Sequence, residues 1–324
     1  MTQVAARALV ETVADGDAAP CPSPTITSHA VRGILLFACG VLVLACMDTT
    51  TKWLAQRYQV PLIVGVRYVV NLLLMVAVLA PAQGRGLVTT QRTGLVLIRG
   101  ACLAAASLFM GFAFQRMPVA ESTSIVFLAP TFVLLLPRPI LGERIGWLGW
   151  MAAVAGFAGV LLVARPGSGL APLGVACAAA AAVATAIYQL LSRMLASSER
   201  TLALLFYMAL VGAVLFGLAA PWFWDGRLPR PIDVLLYVSL GVYSGVGHYL
   251  FTAAHRFAPA STLAPIGYTQ VVWAGVLGWL IFGHVPGTLS VVGMLVIIAS
   301  GCCIVLNQKL RAAASSVCFS LSYS

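Results

Sequence analysis

The chain has 324 residues, of which 61% are hydrophobic and only 9% are charged. Soluble domains carry about 25% charged residues, so a soluble protein with a single apolar anchor is excluded. The net charge of +10 comes from basic residues scattered singly between apolar runs, so we predict no nucleic-acid partner. Apolar runs of roughly 20 residues recur along the chain, and their continuous character predicts helices that cross a lipid bilayer. The predicted fold class is therefore an all-α integral membrane protein.

Ten apolar spans follow one another between two polar tails. Residues 1–30 lack the basic start and apolar core of a signal peptide, so they are predicted to form a disordered cytoplasmic tail. The polar residues 309–324 are predicted to form a second cytoplasmic tail. The predicted spans are 33–53, 61–81, 94–116, 119–140, 145–164, 170–193, 201–221, 233–254, 260–282 and 286–306.

The segment 117–167 reappears in weakened form after a shift of 141 positions, which brings Pro118 onto Pro259 and Gly142 onto Gly283. The same shift maps spans 1–5 onto spans 6–10. Because five is an odd number, the second half enters the membrane from the opposite side. The sequence thus predicts two inverted five-helix repeats, 31–167 and 168–308, an arrangement typical of secondary transporters with a substrate site between the halves.

The distribution of Lys and Arg predicts the orientation. With a cytoplasmic N-terminus, 12 of the 19 Lys and Arg residues flank spans on the inside and 6 on the outside, with Arg67 set aside inside a span. The positive-inside rule therefore favours both termini in the cytoplasm. The eight cysteines show no CxxC or Cys/His spacing, so neither a disulfide framework nor a metal site is predicted.

Several short motifs recur along the spans: Met47-Asp48 with Lys52-Trp53, Pro61 with Arg67-Tyr68, Arg99-Gly100, Pro118-Val119-Ala120-Glu121, Leu141-Gly142-Glu143-Arg144, Arg165-Pro166-Gly167, Tyr188-Gln189, and Pro265 with Tyr268 and Gln270. Together these motifs resemble those of EamA-type permeases in the drug/metabolite transporter superfamily. The resemblance covers residues 33–306. Within the superfamily, the chain is weakly similar to the subgroup that takes up S-adenosylmethionine or riboflavin. It implies ten helices, two inverted units and a central cavity that opens alternately to either side. His284, where the family commonly has Glu, and the turn Pro137-Arg138-Pro139 depart from the pattern.

Ionisable and polar side chains within spans are the candidate substrate-binding residues, because burying such groups in a membrane is costly without a function. Arg67 lies about 9 Å into its span, where a cavity role and interfacial snorkelling are both possible. His248 suits proton coupling or a packing role, and Glu121 suits either a site or a helix cap. The full candidate set is Arg67, Asn71, Glu121, Tyr188, Gln189, His248, Tyr268, Gln270 and Trp273. Asp48 and Lys52 are predicted to form a structural i,i+4 ion pair instead.

The function predicted from the sequence is secondary active transport of a small organic metabolite across the bacterial inner membrane by alternating access. Coupling to a proton or solute gradient is expected, and a monomer or a homodimer fits equally. No GxxxxGK[ST] motif occurs, so ATP is not predicted as a partner, and no cofactor is predicted. Two alternatives stay open: a lipid-modifying membrane enzyme, disfavoured because no HExxH or GxSxG motif occurs, and a membrane scaffold without transport.

Overall fold

The computed structural model describes residues 28–135, 147–164, 169–195, 198–224, 226, 228–258, 263 and 266–303. These residues are helical or lie in links, and none of them forms a strand. The helices are α1 Ser28–Ala55, α2 Val60–Gln83, α3 Thr93–Arg116, α4 Val119–Val126, α5 Ala129–Leu135, α6 Trp147–Ala164, α7 Pro172–Leu195, α8 Thr201–Phe223, α9 Pro231–Ala254, α10 Thr269–Phe282 and α11 Thr288–Cys303. A 3₁₀ turn, Gly84–Leu87, follows α2.

Six of these helices, α1–α3 and α7–α9, are long and apolar enough to cross a membrane. The remaining predicted spans coincide with shorter apolar helices at Val119–Val133, Trp150–Ala164, Thr269–Phe282 and Thr288–Cys303. Large apolar side chains cover the outer surface, as shown by Trp222 and Leu161, which are 81% and 71% exposed. Such a surface suits lipid tails, and the helical membrane fold predicted from composition is confirmed.

The fourth span departs from the prediction of one continuous helix. It breaks at Phe127 and Leu128 into α4 and α5. Pro130 explains the break, because it has no N–H to donate to the helical ladder one turn earlier. In the ninth span, Leu263, Ile266 and Gly267 are helical, a turn follows at Tyr268, and α10 begins at Thr269. The rings of Phe127 and Tyr268 are in contact, with centroids 5.0 Å apart.

The helices pack in crossed pairs between the two halves of the sequence. Helix α1 packs against α9, α3 against α7, α2 against α8 and α9, and α10 against α1 and α4. In a membrane, such packing depends on close van der Waals contact, which small residues permit. Glycines accordingly face neighbouring helices in the contacts Gly33 with Ala258, Gly174 with Met117, Gly100 with Val211, Gly241 with Val70, Gly156 with Ser300, and Gly159 with Ile297.

Some sequence features lie outside the described residues. They are the turn Leu141–Arg144, the segment Pro137–Pro139, Pro259 and Pro265.

Candidate functional site

A group of polar side chains from four helices meets inside the bundle. We call it the central polar cluster: Asp48 of α1, Arg67 and Asn71 of α2, Ser244 and His248 of α9, and Gln270 of α10. Arg67 and Asn71 are one helical turn apart and share a face of α2, as Ser244 and His248 do on α9. The crossings of α1 and α2 with α9, and of α1 with α10, bring the six residues together.

Arg67 is the cation of the cluster and is only 6% exposed. Its Nη1 donates weakly to the sulfur of Met47 at 3.7 Å, and its guanidinium lies over the Tyr68 ring, 4.7 Å from the centroid. Its Nε has no hydrogen-bond partner among the described residues. A buried guanidinium normally has its donors satisfied, so this free donor is available to a ligand.

Asn71 is fully buried beside it. Its Nδ2 donates to Ser244 Oγ at 3.5 Å, while its Oδ1 has no hydrogen-bond partner among the residues described. Gly245 makes room for this amide, since a Cβ there would lie 2.9 Å from Asn71 Oδ1. The cluster therefore presents an unused donor on Arg67 and an unused acceptor on Asn71.

Asp48 is 7% exposed, and its Oδ2 accepts a hydrogen bond of 2.9 Å from Gln270 Nε2. The predicted ion pair with Lys52 is not formed. Lys52 Nζ instead donates to the carbonyl oxygens of Phe114, at 2.9 Å, and Met117, at 2.7 Å. Free carbonyls at the end of α3 compete successfully for the ammonium, because backbone acceptors inside a membrane protein must find a donor. The carboxylate of Asp48 is left to the cluster, within electrostatic range of Arg67.

Glu121 lies in the first turn of α4, as predicted, but it makes no side-chain cap there. It is 2% exposed, and its Oε1 is 3.0 Å from Nε2 of His284, in the link after α10. Lys52 is the cation within electrostatic range. Glu121 therefore belongs to a separate Lys52–Glu121–His284 group at the end of the bundle where α1 ends, and not to the central polar cluster.

Four other predicted site residues lie elsewhere. The Tyr188 hydroxyl accepts a 2.8 Å hydrogen bond from Nη2 of Arg99. Gln189 is exposed, and Trp273 is 37% exposed. Tyr268 is buried against Gly301 of α11 and contacts Phe127. The structure therefore brings Arg67, Asn71, His248 and Gln270 together and leaves these four candidates outside the cluster.

Arg99 is a buried cation to which the sequence analysis gave no site role. It donates to Ser192 Oγ at 2.7 Å, to the Leu204 carbonyl at 3.1 Å and to Tyr188. It thereby ties α3 to α7 and α8. Its position inside the predicted span 94–116 is the signal that marks it, although the charge count places it among the flanking basic residues.

Two buried carboxylates join loops of one half to helix starts of the other. At one end of α2, Asp233 is 0% exposed and accepts hydrogen bonds from the Tyr58 hydroxyl at 2.8 Å and from Arg230 Nε at 2.8 Å. Arg57 Nη1 lies 3.9 Å from Asp233. We call this the Asp233 latch. Burial, and then the bond to Asp233, raise the pKa of the Tyr58 hydroxyl above its ordinary value.

Glu199 forms the second connection, at the other end of α2. Its Oε1 accepts from the backbone N–H groups of Gln91 at 2.9 Å and Arg92 at 2.7 Å, just before α3 begins. We call this the Glu199 latch. Helix α2 has 24 residues and is about 36 Å long, so the two latches lie at opposite ends of the bundle. No group of His, Cys, Asp or Glu suited to a metal ion occurs in the part of the chain that the structure describes.

Comparison with known proteins identifies the family. The EamA-like transporter family matches the chain twice, at residues 31–165 and 172–306. The chain belongs to this family. As the resemblance implied, this EamA-like protein is a membrane transporter and not an enzyme.

Curated relatives match across nearly the whole membrane part. An S-adenosylmethionine uptake transporter of Rickettsia prowazekii (strain Madrid E) is 23% identical over 279 residues, covering 86% of this chain and 94% of the relative. A riboflavin transporter of Rhizobium johnstonii is 25% identical over 296 residues, covering 88% and 94%. The pseudopaline exporter CntI of Pseudomonas aeruginosa is 25% identical over 283 residues, covering 85% and 96%.

A solved crystal structure of a protein also matches, with a TM-score of 0.59 at 22% identity. It covers 87% of this chain and 97% of the matched chain. At this identity the match supports the fold of the EamA-like transporter and nothing about its substrate.

Proposed function

We propose that this EamA-like protein is a secondary active transporter, which moves a small organic metabolite across the bacterial inner membrane by alternating access. The observation that carries the proposal is the pair of unpartnered buried atoms, Arg67 Nε and Asn71 Oδ1. Each unsatisfied polar group inside the bundle costs about 1–3 kcal/mol, so a bound ligand that supplies the missing partners recovers this free energy. The cluster is the substrate site.

The names of the relatives support a small polar metabolite as the cargo. They name S-adenosylmethionine, riboflavin and pseudopaline, and they include both uptake and export. A carrier without its own energy source runs with the gradients across it. We therefore propose that the direction of net transport is set by the solute or proton gradient, not by the fold.

Alternating access requires two halves that exchange roles, and the helix contacts support inverted repeats. Gly33 contacts Ala258. A shift of 141 positions carries Gly33 forward onto Gly174 and Ala258 back onto Met117, and these two residues are also in contact. The same operation exchanges further contacts: Gly100–Val211 with Gly241–Val70, and Gly156–Ser300 with Ile297–Gly159. Phe127 becomes Tyr268, and these two rings contact each other.

The two latches obey the same rule. The shift of 141 carries position 58 onto 199 and position 92 onto 233, so the pair Tyr58–Asp233 becomes the pair Glu199–Arg92. Each latch joins the first loop of one half to the start of the third helix of the other. Opening one latch while the other stays closed would expose the cluster to one side of the membrane. We assign the described conformation, in which both latches are closed, to the occluded state of the proposed cycle.

Counterflow in sealed liposomes tests the proposal without assuming a driving gradient. Purified protein is reconstituted and loaded with an unlabelled solute from a panel that includes S-adenosylmethionine, riboflavin and amino acids, and entry of the labelled solute is followed. We expect saturable entry of at least one solute above that of protein-free liposomes. Arg67→Gln is expected to reduce it, whereas Arg116→Gln, at an exposed arginine bonded to Phe112 and Gln115, is the matched control. Monodisperse protein that exchanges none of the panel would overturn the proposal.

A further inference from the structure

The charges of the central polar cluster specify its ligand more closely than a metabolite in general. Arg67 and Asp48 are both buried, and they are within electrostatic range of each other. Their hydrogen bonds nevertheless go elsewhere, to the Met47 sulfur from Arg67 and to Asp48 from Gln270. The cluster therefore holds a buried arginine and a buried aspartate that are within electrostatic range but not bonded to each other.

This arrangement is costly as it stands. A buried charge is stable only when it is paired and hydrogen-bonded, and sulfur is a weak acceptor for a guanidinium. The neutral amide of Gln270 satisfies one oxygen of Asp48 without neutralising its charge. A ligand with an anionic group next to Arg67 and a cationic group next to Asp48 would pair both buried charges at once.

The neighbouring polar groups match the same ligand. The free Nε of Arg67 is a donor, and the planar guanidinium suits the two oxygens of a carboxylate. The free Oδ1 of Asn71 is an acceptor, which suits an N–H or O–H of the ligand. His248 of α9 is also within electrostatic range of Arg67, and it supplies no carboxylate.

We propose that the central polar cluster binds a zwitterionic head group of the α-amino-acid type, with its carboxylate on Arg67 and its ammonium on Asp48. This inference rests on the proposed transport function and adds the substrate class. A different arrangement, in which Arg67 binds an anionic solute while Asp48 takes a coupling cation, is an outcome that the test distinguishes.

Matched probes that lack one or both charged groups of the head group test the proposal. S-adenosylhomocysteine carries the head group, and 5′-methylthioadenosine has the same nucleoside without it. Methionine is compared with its methyl ester, which lacks the carboxylate, and with N-acetylmethionine, which lacks the ammonium. Each probe competes with labelled solute in the counterflow assay. We expect at least one intact zwitterion to compete, and each of its truncated analogues to compete about tenfold to a hundredfold less well, because hydrogen bonds to charged groups are lost.

The variants assign each charge to its residue. Arg67→Gln should weaken competition by the zwitterion about tenfold or more, yet change competition by the methyl ester little, because the ester offers no carboxylate to lose. Asp48→Asn should show the reverse pattern, with N-acetylmethionine little affected. Where the neutral variants are not monodisperse, Arg67→Lys and Asp48→Glu are measured instead, because they keep the charges and change only the geometry of the charged groups. Arg116→Gln should change none of the ratios.

The outcomes separate the two proposals. If no solute exchanges at all, the transport function fails. If solutes exchange but N-acetylmethionine or another plain anion competes as well as its zwitterion, the head-group assignment is overturned and the transport function stands. Equal losses for every probe in Arg67→Gln would also overturn the assignment, since they would indicate a packing role.

Discussion

The two latches make opposite predictions for alternating access. In the Asp233 latch, Tyr58→Phe removes only the hydroxyl that donates to Asp233 at 2.8 Å and leaves Arg230 in place. In the Glu199 latch, Glu199→Gln keeps the shape but removes the charge that strengthens the bonds from the N–H groups of Gln91 and Arg92. Each change weakens one end of the bundle, so the variants should open opposite sides.

The magnitude follows from the bonds. A hydrogen bond to a charged group contributes about 1.5–3 kcal/mol to stability. Tyr58 is only half-buried, so solvent screening reduces the effect to about 1 kcal/mol, or about fivefold in the population open at that end. Glu199 is 9% exposed and loses charge assistance in two bonds. We expect a change of about 1–2 kcal/mol there, or about fivefold to thirtyfold.

Ser244→Cys provides the assay, because Ser244 belongs to the central polar cluster and is 2% exposed. The eight native cysteines are changed to Ser, and the protein is reconstituted in one orientation. A membrane-impermeant maleimide is then added to one side at a time. Labelling of the thiol introduced at position 244 should accelerate from one face in Tyr58→Phe and from the opposite face in Glu199→Gln.

The control is Tyr249→Phe, at a tyrosine that is 52% exposed on the outer surface, and it should leave both rates unchanged. The reasoning is refuted if both latch variants accelerate labelling from the same face. It is equally refuted if neither rate changes while both variants remain folded.

Three further predictions concern single positions. In Gly245→Ala the new Cβ would lie 2.9 Å from Asn71 Oδ1, so the amide must shift, and the solute concentration that half-saturates counterflow should rise about tenfold. Gly217→Ala is the control, because the space around Gly217 is open and the half-saturating concentration should stay unchanged. Equal half-saturating concentrations in the two variants would contradict the placement of Asn71. Lys52→Met leaves two backbone carbonyls without their donor and should lower the free energy of unfolding by about 1–3 kcal/mol, which is measured as a lower melting temperature in detergent. An unchanged melting temperature would contradict this prediction, because it would show that other donors replace the ammonium. Because the pKa of Tyr58 is raised in the folded state, its hydrogen bond contributes fully to stability below the ordinary pKa of 10.0 and is lost as pH rises through the higher folded value. The difference in melting temperature between the wild type and Tyr58→Phe should therefore be constant below pH 10.0 and shrink above it. A difference that grows with pH would contradict the direction of the pKa shift.

The spans could be predicted from the sequence because length and continuous hydropathy are sufficient for a helix in lipid. The membership of the cluster could be predicted only in part. Gln189 and Trp273 have the right residue types, but they face outward. In these helices nearly every face is apolar, so the hydrophobic pattern gives depth in the membrane but not the direction in which a side chain points.

The pairing of Asp48 failed for a related reason. The i,i+4 rule describes side chains on an isolated helix, where Lys52 is the nearest cation. In the folded chain, Gln270 comes from 222 residues away and Lys52 is bound by carbonyls of another helix. The spacing of residues along one helix cannot predict a hydrogen-bond partner that comes from another helix in the folded chain.

The repeat is symmetric in its packing but not in its chemistry. The shift of 141 carries Asp48 onto Gln189, Arg67 onto Met208 and Asn71 onto Gly212, so the second half has no counterpart of the charged cluster. The latches differ as well, since a tyrosine hydroxyl and an arginine hold Asp233, whereas two backbone N–H groups hold Glu199. In the proposed alternating-access cycle, opening the two ends would therefore break different bonds around a cluster whose charged residues come from the first half. The two open states of the proposed cycle would then have different free energies, and the apparent affinity for the same solute should differ between the two faces of the membrane.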